Sequence, residues 1–109
     1  MPVVILPKVL KYFDDLVTIL YEKDYFGFEE TALKYVTELY DEIIATLPMC
    51  PRKPAPKYFE KYGKGLYYAV FPKNKRTQWY AFFRMYRKDG ELYYQIRYIT
   101  NNHTVAQYL

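Results

Sequence analysis

The chain has 109 residues, 51% hydrophobic and 26% charged, with a net charge of +4; that is enough to build one core and too apolar for a disordered tail. Its one cysteine, Cys50, excludes an internal disulfide and suits a reducing, cytoplasmic compartment, and its one histidine, His103, argues against a zinc or haem site. Apolar runs such as Val3–Leu6 fall far short of the ~20 residues that span a bilayer, no basic stretch leads into an apolar N-terminal core, and there is no GxGxxG, GxxxxGK[ST] or GxSxG motif.

In chain order, Val3–Leu6 reads as a short first strand. Residues 8–23 place Val9, Tyr12, Phe13, Leu16, Val17 and Leu20 at helical three-four spacing. Residues 29–47 repeat the pattern with Ala32, Val36, Leu39, Ile43 and Leu47, and Glu29 and Glu30 complement the dipole at the helix start. Gly27 marks the turn between the two, which predicts an antiparallel helical hairpin over residues 1–47. Pro48, Pro51, Pro54 and Pro56 then make residues 48–57 an extended connector.

From Leu66 the period becomes two, predicting strands over Leu66–Pro72, Thr77–Arg87 and Glu91–Thr100. Asp89-Gly90 is a two-residue hairpin signal that pairs Lys88 with Glu91. That register sets Trp79, Ala81, Phe83 and Met85 opposite Thr100, Tyr98, Ile96 and Tyr94. A turn at Asn74-Lys75 would bring Leu66, Tyr68 and Val70 onto the same apolar, helix-covered face. The expected fold is therefore α+β, with the N-terminal helical hairpin on one face of a three- to four-stranded antiparallel sheet formed, with a C-terminal tail, by residues 58–109. The opposite face would carry Tyr67, Tyr80, Phe82, Arg84, Tyr93, Gln95 and Arg97. Left open, it suits a nucleic-acid strand or a docked peptide; alternatively, these are ordinary cross-strand pairs covered by the chain's own tail.

Charge is divided between the two halves: residues 1–50 carry −5 and residues 51–109 carry +9. A +9 half is the electrostatic footprint of a surface for an anionic partner, although basic residues also keep sheets soluble. Tyrosine occurs 15 times against one tryptophan, so the aromatic content is mostly amphipathic.

Helical hairpin, connector, antiparallel strands and short C-terminal segment together resemble the RelE/ParE superfamily of bacterial toxin–antitoxin toxins. The local likeness runs from Tyr58 to Leu109. It rests on Tyr62-Gly63-Lys64-Gly65-Leu66-Tyr67, similar to the "GKGLY" entry of the HigB-like branch, on Trp79-Tyr80-Ala81-Phe82-Phe83, and on the run from Tyr94 to His103. The resemblance implies a small cytoplasmic toxin held by a cognate antitoxin, with the ribosome and mRNA as partners, no membrane, no cofactor and no metal; it admits a homodimer. Many relatives cleave mRNA on the ribosome, and others poison DNA gyrase.

Metal-free cleavage of RNA needs an acid or base near neutral pKa and cationic clamps for the phosphate. His103, just after the last strand, is the expected acid or base. Arg97 and Arg84 are the expected clamps, and Tyr108 a further candidate near the C-terminus. Tyr67, Tyr80, Tyr93 and Gln95 would hold bases, and Lys61, Lys64, Lys73, Lys75 and Arg76 would line the second strand with charge. The chain departs from the branch in two places: Tyr68-Ala69-Val70 replaces an acidic–aliphatic–basic run, and Asn101-Asn102 replaces a basic pair. Three readings follow: a ribosome-dependent mRNA endonuclease, a toxin-fold module that binds a protein target or antitoxin without cleaving, and a nucleic-acid-binding protein with no toxicity.

Overall fold

The structure is a computed structural model that describes residues 2–22 and 27–109. The helix expected over 8–23 is α1 (Pro7–Glu22), with proline at its first position, where the missing N–H costs nothing; Lys23 lies outside the described residues. The second helix is α2 (Glu29–Thr46), and Leu47 opens a single 3-10 turn, Leu47–Met49, around Pro48. Edge-to-face packing of Phe13 on Tyr40 joins the two helices.

The sheet has five strands in the order β1-β5-β4-β3-β2: β1 (Val3–Ile5), β2 (Lys53–Pro54), β3 (Tyr67–Pro72), β4 (Gln78–Lys88) and β5 (Glu91–Asn101). The three long strands match their expected spans to within a residue or two. The expected three- to four-stranded antiparallel sheet is corrected in two respects. β1 runs parallel to β5, pairing Val3 with Tyr94 and Ile5 with Ile96, so the sheet is mixed. The connector also supplies an edge strand, β2, where Pro54 is tolerated because it has no neighbour on its outer side among the described residues.

The β4–β5 hairpin turns at Asp89 and Gly90, both at positive φ (52° and 79°), as a two-residue type I′ turn requires. The expected register holds from Lys88↔Glu91 to Phe83↔Ile96, then slips: Phe82 pairs with Tyr98, Ala81 with Ile99 and Trp79 with Asn101. Arg97 is the extra residue of a β-bulge, which moves Ile99 to the helix side and Tyr98 and Thr100 to the other. β3 also differs from expectation. The loop to β4 spans Lys73–Thr77 and sets Tyr67 opposite Phe83 and Phe71 opposite Trp79. Tyr67, Ala69 and Phe71 therefore face the helices, not Leu66, Tyr68 and Val70, because a one-residue shift flips every side chain of a strand.

Two cores result. α1 and α2 cover Ala69, Phe71, Trp79, Ala81, Phe83, Ile96 and Ile99, and Trp79 Nε1 donates to the Tyr35 hydroxyl at 2.9 Å. On the second face a 3-10 segment, Lys57–Tyr62, and the tail helix α3 (Asn102–Val105) bury Phe59, Leu66, Tyr80, Phe82 and Val105 together. This face is thus covered at one end, as the alternative reading of its cross-strand pairs allowed: Phe82 is 0% and Tyr80 7% exposed. The ring of Phe59 stacks on Phe82 at 4.3 Å between centroids. If this layer contributes as a true core, Phe59→Ala will destabilise the protein by about 3–5 kcal/mol, read as a lower denaturant midpoint; an open face would leave the midpoint unchanged.

Candidate functional site

The part of the second face that remains accessible is a strip running from the hairpin end of the sheet to the tail. At the hairpin end Tyr86 stacks on its cross-strand partner Tyr93 at 5.3 Å, and the Arg84 guanidinium lies 5.3 Å from the Tyr86 ring centre. Arg84 pairs across the strands with Gln95. Arg97 follows at the bulge, donating from Nε to the Tyr62 carbonyl at 2.6 Å and from Nη1 to Gln95 Oε1 at 3.0 Å. Two of its five N–H donors are thereby committed, which pins the guanidinium and leaves the others for a ligand.

The close approach of Arg97 to the 3-10 segment requires glycine at 63. Gly63 has φ 147°, and a Cβ there would sit 3.0 Å from Arg97 Nε and 3.2 Å from Leu66 Cδ2. Exposed Lys64 follows directly.

Beyond Arg97, Tyr62 stacks on Tyr98 at 3.8 Å, and the strip continues to Lys61, Tyr58 and Tyr108. Tyr58 and Tyr108 stack face to face at 3.7 Å, and Lys61 Nζ lies 4.0 Å from the Tyr58 ring centre. The Lys61 ammonium, hydrogen-bonded to Tyr58, holds that phenol below the usual tyrosine range. Such a phenol gives up its proton more readily than an ordinary tyrosine. Sequence reasoning passed over Tyr58. The signal was its spacing of three from Lys61, which is eclipsed only if the segment is a 3-10 turn rather than an extended entry to a strand.

The strip thus brings together Arg84, Tyr93, Gln95, Arg97, Lys61 and Tyr108 from the candidate list. It does not include His103. That side chain is exposed at the other end of the sheet, with Nε2 3.2 Å from Thr77 Oγ1, roughly 18 Å along the strands from Arg97 and roughly 23 Å from Arg84. Lys75 and Arg76 are at the same end, in the β3–β4 loop beside His103. Lys73 is turned to α2, where its Nζ meets Glu42 Oε2 at 3.3 Å. Two stacking candidates move for reasons of register and cover: Tyr67 faces the helices, and Tyr80 is buried beneath the tail layer.

Asn102, which replaces part of an expected basic pair, has a structural task. Its side chain accepts from Gln78 N at 2.9 Å and donates to the Arg76 carbonyl at 3.0 Å, docking α3 on the loop. Among the described residues no group of three or more His, Cys, Asp or Glu side chains is placed to hold a metal ion, and no helix is long and apolar enough to cross a membrane.

Replacing Lys61 by Met will return the Tyr58 phenol upward toward the ordinary tyrosine range in an ultraviolet pH titration. At the edge of the strip, burial and the neighbouring Tyr98 push the Tyr12 phenol up to about 12. Between the ordinary pKa of 10 and that value the unfolded chain loses a proton that the folded chain keeps, so stability falls as pH rises through this window. Tyr12→Phe will flatten that fall in Tm measured against pH. No protein-family model, curated protein or solved structure matches the chain, so its function is to be read from its own side chains.

Proposed function

We propose that this protein is a toxin of the RelE/ParE type that holds single-stranded RNA on the strip and cuts it without a metal ion. The observation that carries the proposal is the alignment of Arg84, Arg97 and Lys61 with the stacked tyrosine pairs Tyr86–Tyr93 and Tyr58–Tyr108 on one accessible face. Cations at intervals track a phosphate backbone, and flat phenol rings between them offer stacking worth about 1–3 kcal/mol per base. In this reading Arg97, held by Tyr62 and Gln95, clamps the scissile phosphate and stabilises its developing charge. The Tyr58 phenol, acidified by Lys61, gives its proton to the 5′-oxygen as that oxygen leaves phosphorus, the attacking 2′-hydroxyl loses its proton to water as it closes the cyclic phosphate, and Tyr108 holds the Tyr58 ring in place. His103 takes no part. The acidic helical hairpin lies on the opposite face of the sheet, where its charge does not repel RNA. A cognate antitoxin that shields the strip, together with the ribosome and mRNA, completes the proposal.

The distance between His103 and the arginines also favours a second reading. If acid–base chemistry depends on His103, the phosphate clamps are out of its reach, and the protein would act by binding alone.

A pulse of expression in a bacterial host, with mRNA 5′ ends mapped, separates the two. New ends inside translated codons are expected. They should drop by about 10²–10⁴ in Tyr58→Phe and in Arg97→Gln, while His103→Ala keeps them. Growth arrest without new ends would support the binding reading, and cuts abolished by His103→Ala but not by Tyr58→Phe would overturn the assignment of the strip.

A further inference from the structure

Beside the strip, where β1 stops, there is a cavity the mechanism above does not use. β1 covers only Tyr94–Ile96 of β5, and among the described residues no strand neighbours Arg97–Ile99 on that side. The chain instead turns into the first turns of α1, and a cavity of about 250 Å³ remains between α1, β5 and the end of the 3-10 segment. It is lined by the aromatic residues Tyr12, Tyr62 and Tyr98, the aliphatic residues Val9 and Ile99, and two cations, Lys8 and Arg97.

The chemistry of this lining is specific. At about 250 Å³ it is smaller than the roughly 300–1,000 Å³ of sites for drug-sized ligands, so it takes one ring system rather than a larger molecule. Three phenols and two aliphatic side chains favour a flat aromatic ring, and the two cations favour a negative charge attached to it. Phenols are neutral at physiological pH, so the hydroxyls in the lining are hydrogen-bond donors as well as acceptors. Lys8 is exposed and belongs to α1, outside the strip.

We infer that this cavity binds one nucleotide, with the base among Tyr12, Tyr62 and Tyr98 and the phosphate on Lys8 and Arg97. The inference rests on the RNA reading above for the source of that nucleotide: a unit of a strand that crosses the strip at Arg97 and turns its base off the sheet edge. A free mononucleotide has the same chemistry.

The test uses adenosine 5′-monophosphate, inorganic phosphate and a single-stranded RNA hexamer as probes, with the methyl resonances of Val9 and Ile99 as the readout. The nucleotide and the hexamer are expected to shift these methyls, and phosphate alone is not. Lys8→Gln should weaken nucleotide binding about tenfold, the loss of one charge-assisted contact, and lower the slope of log affinity for the hexamer against log salt by about one. Methyls unmoved by nucleotide and hexamer, or moved equally by phosphate alone, would overturn the inference. Hexamer binding weakened by Arg84→Gln but not by Lys8→Gln would also overturn it while leaving the strip as an RNA surface. Nucleotide binding in the cavity with no hexamer binding would uphold the cavity as a mononucleotide site and remove the RNA reading.

Discussion

Arg97 is one residue more than the β4–β5 ladder can pair, and much of the molecule is arranged around that surplus. The bulge turns Ile99 toward the helices and Tyr98 away from them, so both cores receive an apolar or aromatic side chain from the same short stretch of β5. It also places a guanidinium where no ladder partner competes for it. The Tyr62 carbonyl accepts its Nε–H, which ties the 3-10 segment to the sheet, and Gly63 leaves the room for that contact. Without the extra residue, Tyr98 would enter the helix-side core and Ile99 would be left under Tyr62, with no stacking partner there.

The second core explains how a protein this rich in tyrosine remains compact without exposing its rings at random. Phe59, Phe82 and Val105 close the apolar middle of the second face, and the tyrosines around it stack in pairs. Cations then settle on the outer faces of those rings, as Lys61 does on Tyr58 and Arg84 on Tyr86. The result separates charge by face. Acidic side chains belong to the helical layer, and the cations of the strip lie across the sheet from it. An ion pair between the two charge sets, Lys73 to Glu42, fastens the β3–β4 loop to α2 and takes Lys73 away from any role on the strip.

Local signals carried the elements well. Helical spacing from Val9 to Leu20 and from Ala32 to Leu47, the alternation from Leu66 onward, and Asp89-Gly90 each depend on neighbours a few residues apart, and each appears as expected. The candidate site was half legible. Arg84, Tyr93 and Gln95 fall together because the register nearest the tight turn is set by the turn itself, and Arg97 joins them from the bulge through its hydrogen bond to Gln95. Tyr58 was missed, and His103, Lys75 and Arg76 were grouped with residues that lie at the other end of the sheet.

What the sequence by itself determined is the α+β composition, the hairpin of helices, the three long strands and the basic character of the second half, since these follow from periodicity, turn chemistry and charge along the chain. Only the tertiary structure decided which face each residue occupies beyond the bulge and in β3, that β1 joins β5 in parallel, and that Lys57–Tyr62 and α3 cover the second face. The physical reason is that strand side chains alternate with a period of two. A single extra residue at Arg97, or one residue of loop between Pro72 and Gln78, reverses every side chain that follows, and the choice is made by which arrangement fills both cores at once.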